Sequence, residues 1–323
     1  MTTHSVKRIV IIGGGPAGYE AALVGARYGA DITLIEDTGL GGSAVIDDCV
    51  PSKSFIAGAN VKTDLRRAED MGLSMKLAED AAGAGSIRLV TALNSRVRQL
   101  AGKQSNDIYR SVERAGVRII AGRGTFDDYN LNQTVHYIRV EHANGTVETI
   151  ECDLVLVATG ASPRILPGAQ PDGERIVTWQ QIYNITELPE HLIVVGSGVT
   201  GAEFVSAFAE LGVKVTMVAS RDRILPHDDA DAADVLETVL TERGVSLVKH
   251  ARVDSVVRMD DGGVLVRTSD GREIRGSHAL MTVGSIPNTQ NMGVEAIGME
   301  TTPSGHIKVD RVSRTNVPGG YAA

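Results

Sequence analysis

Short runs of β-branched and aliphatic residues recur along the chain, each followed by a glycine-rich turn and a helix-forming stretch. Residues 9–12 precede one such stretch and lead to a second apolar run at residues 32–35. Residues 192–195 precede another and lead to the run at residues 213–218. Continuous apolar runs of this length are typical of strands buried on both faces of a parallel sheet. The pattern therefore predicts a β-α-β unit near the start of each half of the chain.

After each β-α-β unit, segments of alternating apolar and polar residues, separated by turn dipeptides, predict antiparallel strands. Residues 135–140 and 146–150 flank Asn144-Gly145, a strong hairpin signal, and the apolar run 154–157 follows. The corresponding strands of the second half are predicted at residues 253–257, 264–267 and 273–275, followed by the apolar run 279–283. We therefore predict an α/β protein in which each half combines a parallel sheet with a three-stranded antiparallel meander.

Helical periodicity and turn-forming residues predict the domain boundaries. One amphipathic helix is predicted from the spacing of Ile87, Val90, Leu93, Val97 and Leu100. The proline- and glycine-rich stretch 161–173 predicts a hinge, and residues 284–288 predict a second crossing point. The predicted organisation is a first domain at residues 1–160, a second at 161–284, and a return to the first at 285–323.

Composition and charge narrow the class of protein. The 323 residues include 32 basic and 40 acidic side chains, a net charge of −8, which disfavours nucleic acid or an anionic membrane as partner. The two cysteines, Cys49 and Cys152, exclude a secreted disulfide framework. No N-terminal run is long enough for a signal peptide or a membrane span, so we expect a cytoplasmic protein. No metal site is predicted.

The motif Gly-x-Gly-x-x-Gly occurs twice, each time directly after a predicted buried strand and before a predicted helix. The six glycines are Gly13, Gly15, Gly18, Gly196, Gly198 and Gly201. Missing side chains at Gly13 and Gly15 let the backbone approach a pyrophosphate, and Gly18 permits close packing of helix on strand. The helix N-terminus attracts the anion. Tight turns without a ligand are the alternative. The doubled motif predicts two Rossmann-like dinucleotide-binding domains.

The residue that follows the second strand differs between the two predicted sites. Glu36 lies eighteen residues after Gly18 and is placed to accept hydrogen bonds from a ribose diol. Ala219 stands at the same distance from Gly201, with Arg221 and Arg223 close behind. A site without the carboxylate is open to NADPH as well as NADH, although the arginines could simply be solvated loop residues.

Landmarks in most of the chain resemble those of the flavoprotein disulfide reductase family, which includes lipoamide dehydrogenase and glutathione reductase. They are Gly13-Gly14-Gly15-Pro16-Ala17-Gly18, Glu36, Gly41-Gly42, Cys49-Val50-Pro51-Ser52-Lys53, Ala158-Thr159-Gly160, Gly196 to Gly201, Glu203 and Gly284-Ser285-Ile286-Pro287-Asn288. The resemblance implies FAD at the first site and NADH or NADPH at the second, with electrons passing from the nicotinamide to the flavin.

One departure from the family pattern bears directly on function. The family's redox-active segment is Gly-Gly-x-Cys-x4-Cys, whereas this chain has Ala44 in place of the first cysteine and Cys49 in place of the second. A lone thiol cannot form the intramolecular disulfide. Cys152 is predicted to begin a buried-type strand and is expected to be structural. The chain is therefore most similar to the NAD(P)H:quinone reductase members of the family that lack the redox dithiol.

The resemblance also assigns individual residues. The catalytic residues that it implies are Lys53, beside the flavin and paired with Glu203, and Cys49, packed near the flavin ring. The residues predicted to bind the dinucleotides are Gly13, Gly15, Pro16, Ala17, Gly18, Glu36, Gly42, Ser43, Lys53, Gly124, Ala158, Thr159, Gly160, Gly196, Gly198, Val199, Thr200, Gly201, Ser220, Arg221, Val253 and Gly284. A simpler alternative for Glu203 is that its carboxylate interacts with the helix dipole.

These observations predict an FAD-dependent NAD(P)H:quinone oxidoreductase with a quinone-type acceptor. Three alternatives stay open: a dihydrolipoamide dehydrogenase or other disulfide reductase, a flavin-dependent transhydrogenase, and a non-catalytic flavin redox sensor. In the family, an FAD-binding Gly-Asp pair and a dimerisation domain follow the position of Ala323. We therefore expect a longer, homodimeric protein of which this chain lacks the C-terminal domain.

Overall fold

The computed structural model describes residues 6–72, 84–127 and 135–323 of the chain. These residues form two compact units. Unit 1 contains residues 1–49, 100–162 and 286–323, and unit 2 contains residues 50–99 and 163–285, within the described ranges. The side chain of Ile87, used above to predict a helix, lies outside the described part of the structure.

A parallel five-stranded sheet forms the centre of unit 1. Its strands are β1 (Arg8–Ile12), β2 (Asp31–Glu36), β3 (Arg118–Ala121), β7 (Leu154–Val157) and β18 (Gly320–Ala322). They lie in the order β18-β7-β1-β2-β3. The antiparallel sheet of unit 1 consists of β4 (Arg123–Phe126), β5 (His136–Glu141) and β6 (Val147–Cys152). The predicted hairpin at Asn144-Gly145 joins β5 and β6, which confirms the meander.

Four helices lie between the strands of the first part of the chain. They are α1 (Pro16–Arg27), α2 (Gly42–Ile46), α3 (Cys49–Asp70) and α4 (Ala84–Arg114). The predicted amphipathic helix is therefore present but extends to Arg114. The additional turns place Val112 in a unit 1 core with Ile11 and Leu34, so burial extends the helix beyond the predicted stretch.

Unit 2 repeats the same architecture. Its parallel sheet contains β9 (Ile176–Thr178), β10 (His191–Val195), β11 (Lys214–Val218), β12 (Ser246–Val248) and β16 (His278–Met281), in the order β12-β11-β10-β16-β9. Its antiparallel sheet contains β13 (Val253–Arg258), β14 (Val264–Thr268) and β15 (Glu273–Gly276). Its helices are α5 (Val199–Glu210), α6 (Ala230–Glu242) and a short 3-10 helix, Ile182–Asn184. The predicted α/β class with two Rossmann-like halves is confirmed.

Strands β8 (Ala161–Pro163) and β17 (Ser285–Pro287) form a two-stranded sheet. The predicted boundaries at residues 160 and 284 lie within two residues of the division between the two units. The described residues of the stretch 50–99, which was predicted to belong to the first domain, instead group with unit 2. The physical reason is burial, because Phe55 and Val90 pack in one core with Phe208 of α5.

Alternating side chains of each parallel sheet fill two cores. In unit 1, Val10 and Ile12 pack towards the antiparallel sheet, whereas Ile11 packs towards α1. In unit 2, Ile193 faces the antiparallel sheet and Leu192 faces the helices. A strand buried on both faces must be apolar throughout, which explains the continuous runs in the sequence. The carboxyl ends of these strands hold the two glycine-rich loops.

Candidate functional site

The first glycine-rich loop joins β1 to α1 and leaves no room for side chains. Gly13 has φ of 107°, and a Cβ there would lie 2.2 Å from the carbonyl oxygen of Ala158. A Cβ on Gly18 would lie 1.8 Å from the carbonyl oxygen of Gly13. Only glycine fits at either position, so the start of α1 is held against the end of β1. Gly15 caps α1 without a side-chain hydrogen bond, and Pro16 occupies the first turn.

The backbone of Gly42 comes close to this loop. A Cβ on Gly42 would lie 2.7 Å from Gly15 Cα, whereas a Cβ on Gly15 would meet nothing nearer than 3.9 Å. The neighbouring Ser43 hydroxyl is buried and has no hydrogen-bond partner among the described residues. An unpartnered buried hydroxyl beside two bare backbone segments and the start of a helix suits a bound diphosphate. The residues of the first site therefore fit a dinucleotide.

The carboxylate of Glu36 organises the same site. It accepts hydrogen bonds from the backbone N–H of Gly14 at 2.6 Å, of Thr38 at 2.7 Å and of Gly39 at 3.2 Å. The Thr38 hydroxyl donates a further bond at 2.6 Å. Burial by itself would raise the pKa of Glu36, but these donors lower it below the ordinary value. Glu36 is therefore ionised at neutral pH, as the predicted contact with a ribose diol requires.

The remaining predicted residues of unit 1 lie at two places. Ala158, Thr159 and Gly160 follow β7, and the side-chain amide of Asn288 donates to the Thr159 carbonyl. Gly124 lies in β4, where a Cβ would come within 3.1 Å of Ile12. The close packing of β4 explains this glycine without a ligand, so its role in binding a cofactor stays a prediction.

The second glycine-rich loop repeats the first between β10 and α5. A Cβ on Gly196 would lie 2.3 Å from the Thr282 carbonyl oxygen, and one on Gly201 would lie 2.3 Å from the Gly196 carbonyl oxygen. Gly198 caps α5 without a side-chain bond, and a Cβ there would meet nothing within 4 Å. Val199 and Thr200 form the first turn of α5. The open space at Gly198, next to the helix N-terminus, is where a second diphosphate fits.

A cleft of about 290 Å³ adjoins the second loop. It is lined by Leu166, Val195, Gly196, Val218, Ser220, Ala251, Arg252, Val253 and Val283. Ser220 and Val253 were predicted from the sequence. Arg221 is exposed and is not among the lining residues, and Gly284 follows the last of them. The sequence analysis missed Arg252, although it directly precedes the predicted Val253.

Lys53 and Glu203 are paired in unit 2. The Lys53 ammonium lies 2.5 Å from Glu203 Oε1, and the two side chains are 58% and 22% exposed. Lys53 is in the first turns of α3 and Glu203 is near the start of α5, so the fold brings together residues 150 positions apart. The contact is a charge-assisted hydrogen bond, which orients the exposed cation. Glu203 therefore does more than interact with its helix dipole, whereas a catalytic role stays a prediction.

The two cysteines lie in different environments. Cys49 is exposed at the first residue of α3, and Ala44 lies in α2. Cys152 ends β6 inside a core of unit 1, with no exposed surface. Burial raises the pKa of the Cys152 thiol to about 12, so the reactive thiolate does not form at neutral pH.

The described ranges omit residues 1–5, 73–83 and 128–134. In the described ranges, no group of three or more His, Cys, Asp or Glu residues could hold a metal ion. No helix there is long and apolar enough to cross a membrane.

Two glycine-rich loops at the carboxyl ends of parallel sheets, each with room for a diphosphate, define a protein that binds two dinucleotides. The family model described as pyridine nucleotide-disulphide oxidoreductase matches residues 7–323. The chain belongs to this family. FAD and a nicotinamide dinucleotide are the cofactors that the family and its members imply.

Two relatives with different names illustrate the similarity. The chain is 54% identical over 321 residues to a protein of Mycobacterium tuberculosis called NAD(P)H dehydrogenase (quinone), and 31% identical over 317 residues to dihydrolipoyl dehydrogenase of Chlorobaculum tepidum. These alignments cover 98% and 97% of the chain. The chain spans only 64% of the length of either relative.

A solved structure supports the fold. The crystal structure of LpdA from M. tuberculosis superposes with a TM-score of 0.91 at 53% identity. The superposition covers 98% of this chain and 67% of LpdA. Both units, each with a parallel and an antiparallel sheet, therefore have counterparts in a solved structure.

Proposed function

We propose that this chain is the cofactor-binding part of an FAD-dependent NAD(P)H:quinone oxidoreductase that works without a redox-active disulfide. The observation that carries the proposal is Ala44, which stands where the family's redox segment has its substrate-exchanging cysteine. Cys152, the other thiol besides Cys49, is buried and un-ionised. Thiol–disulfide exchange needs an attacking thiolate that can be regenerated, so electrons must leave the protein by another route.

Each glycine-rich loop is assigned one cofactor. The first loop, with the Ser43 hydroxyl and the ionised Glu36, would hold FAD. The second loop and its cleft would hold NADH or NADPH, because Ala219 leaves the position of the ribose-binding acid without a carboxylate. Bound FAD supplies two-electron chemistry between the nicotinamide and the acceptor.

Lys53 is the proposed electrostatic residue. The salt bridge to Glu203 orients the lysine, while more than half of its side chain remains exposed. A fixed cation stabilises negative charge that develops on a neighbouring group during reduction. Glu203 acts through Lys53 and is a positioning residue.

A quinone acceptor suits this arrangement for two reasons. A quinone accepts two electrons directly and needs no protein thiol. The relative named for quinone reduction is also more similar to this chain, at 54% identity, than the dihydrolipoyl dehydrogenase, at 31%. A homodimer and a cytoplasmic location stay predictions from the family resemblance and the sequence.

The test is acceptor specificity. The protein, supplied with FAD, is assayed for NADH and NADPH oxidation with a naphthoquinone and, separately, with lipoamide. In parallel, its thiols are titrated before and after anaerobic reduction by NADPH. We expect turnover with the quinone alone and an unchanged thiol count.

Turnover with lipoamide and a gain of two thiols on reduction would contradict the proposal and indicate a disulfide reductase. Faster reduction of an NAD⁺ analogue than of any quinone would indicate a transhydrogenase instead. Failure of NADH and NADPH to bleach bound FAD would indicate a flavin sensor. Each of these three results contradicts the proposed reaction.

A further inference from the structure

The cleft beside the second glycine-rich loop has one charged lining residue. Apart from Arg252, its walls consist of apolar side chains, glycine and Ser220. Arg221 and Arg223, the arginines that the sequence suggested for a phosphate, do not line it. A single cation in an otherwise uncharged cleft is the dominant electrostatic feature that a ligand there would meet.

Backbone hydrogen bonds fix Arg252 beside the position that selects the nucleotide. Ala251 N–H donates to the Ala219 carbonyl at 2.8 Å, and His250 N–H donates to the Arg221 carbonyl at 3.0 Å. The segment that carries Arg252 therefore runs alongside residues 219–221. Ala219 occupies the position at which a carboxylate would bind a ribose 2′-hydroxyl and repel a 2′-phosphate.

The Arg252 guanidinium is available for a ligand. It is exposed and makes no ion pair or side-chain hydrogen bond with the described residues. Arg267 and Arg272 nearby in sequence are instead paired with Glu273 and Asp270. Lys249 is likewise paired, with Glu237. The charge of Arg252 is therefore not neutralised by a neighbouring carboxylate.

The loop that carries the other two arginines is held in place. Ser197 donates to the Arg223 carbonyl at 3.4 Å, and Ile224 N–H donates to Glu237 at 2.8 Å. Within the described residues, Arg223 Nε is buried without a partner. The backbone of this loop is therefore held in place, and neither Arg221 nor Arg223 lines the cleft.

We propose that Arg252 binds the 2′-phosphate of NADPH, and that Arg252, rather than Arg221 or Arg223, determines the preference of this cleft for NADPH over NADH. The planar guanidinium presents paired donors that match phosphate oxygens, and Ser220, which also lines the cleft, carries a further hydroxyl donor. The inference rests on the nicotinamide nucleotide site of the proposed function.

The experiment uses nucleotide fragments that cannot reduce flavin. Binding of 2′,5′-ADP and of 5′-AMP is measured by isothermal titration calorimetry, with excess FAD present to occupy the first site. We expect Arg252→Ala to weaken 2′,5′-ADP about 10-fold and 5′-AMP less than about 2-fold, because only the former carries the 2′-phosphate. Arg252→Lys should weaken 2′,5′-ADP binding less than Arg252→Ala does. Lysine keeps the positive charge but lacks the paired N–H donors of the guanidinium.

Matched variants separate Arg252 from the general positive charge of the unit. Arg221→Ala and Arg223→Ala should each weaken 2′,5′-ADP less than Arg252→Ala does. Arg275→Ala, an exposed arginine in β15 outside the cleft, should change neither affinity. Far-ultraviolet circular dichroism checks that every variant is folded.

Three results would overturn the inference. The first is an equal loss of affinity for both fragments in Arg252→Ala, and the second is a larger loss of 2′,5′-ADP affinity in Arg221→Ala or Arg223→Ala. The third is that the unaltered protein does not prefer 2′,5′-ADP to 5′-AMP. Equal loss would mean that Arg252 stacks on the adenine. These measurements do not depend on electron transfer. If the protein prefers 2′,5′-ADP through Arg252 but fails to reduce quinones, the role of Arg252 is supported and the proposed function is contradicted.

Discussion

At the scale of single residues, the two nucleotide sites differ mainly by one carboxylate. Glu36 accepts four hydrogen bonds from Gly14, Thr38 and Gly39, and these donors lower its pKa although burial opposes them. An ionised acid there repels a 2′-phosphate, so the first site suits the unphosphorylated ribose of FAD. At Ala219 this repulsion is missing, which leaves the second site open to either nicotinamide nucleotide.

Lys53 is the residue at which we expect the largest effect on electron transfer. Lys53→Ala should slow flavin reduction by NADPH about 10-fold, because a partly exposed cation that stabilises the reduced group is removed. NADPH affinity should change less than about 2-fold, since Lys53 does not line the nucleotide cleft. Stopped-flow absorbance of the flavin gives both quantities.

The control for this variant is Lys103→Ala, which removes an exposed lysine from α4. It should leave the rate of flavin reduction unchanged. An unchanged rate in Lys53→Ala would remove Lys53 from the mechanism. A similar decrease in the rate of flavin reduction in Glu203→Gln would support the role of Glu203 in orienting the lysine.

At the scale of elements, each strand–turn–helix unit divides its glycines between packing and ligand binding. Gly201 has the Gly196 carbonyl where a Cβ would be, so it is required for α5 to approach β10. Gly198 has no atom within 4 Å of the same position, and its φ of −75° is accessible to alanine. Packing therefore requires glycine at position 201 but not at position 198, where the open space suits a ligand.

These two glycines make a matched pair of variants. Gly201→Ala should destabilise unit 2 by about 2 kcal/mol or more, because the helix must move away from the strand. Gly198→Ala should leave stability within about 0.5 kcal/mol and weaken NADPH binding, because its methyl group enters the space for the diphosphate. Chemical denaturation and calorimetry measure the two effects. Weak destabilisation by Gly201→Ala together with unchanged NADPH affinity in Gly198→Ala would contradict both assignments.

At the scale of the whole molecule, the described chain consists of two units with the same layered arrangement. The division places the described residues of the stretch 50–99 with unit 2, because apolar side chains such as Phe55 and Val90 complete its core. Phe55 lies 5.3 Å from Phe208 and 6.2 Å from Tyr183, measured between ring centroids. This aromatic cluster joins a segment early in the chain to helices more than a hundred residues later.

Phe55→Ala should therefore destabilise unit 2 and not unit 1. We expect a cost of about 3–5 kcal/mol from the lost burial and the cavity. Hydrogen exchange should report reduced protection in β10 and α5, with β1 and β2 unchanged. Phe126→Ala, in a core of unit 1, is the matched control and should give the reverse pattern. Equal loss of protection in both units would contradict the division.

Much of the fold and of the candidate site could be predicted from the sequence. The apolar runs around Ile11 and Ile193 predicted the central strands, since a strand covered on both faces has no polar positions. The glycine spacing predicted both loops, because each close approach requires the absence of a Cβ at one fixed place. Asn144-Gly145 predicted the hairpin, and Gly145 adopts the positive φ, 80°, that a glycine in such a turn favours.

The sequence by itself thus determined the strands, the turns, the two nucleotide loops and the missing thiol at position 44, because each depends on residue type at short range. The tertiary structure decided three further points. It assigned residues 50–99 to unit 2, paired Lys53 with Glu203 and placed Arg252 in the cleft. A periodic pattern shows which face of a helix is apolar but not which core receives it. Contacts between distant residues arise only when strands and helices pack.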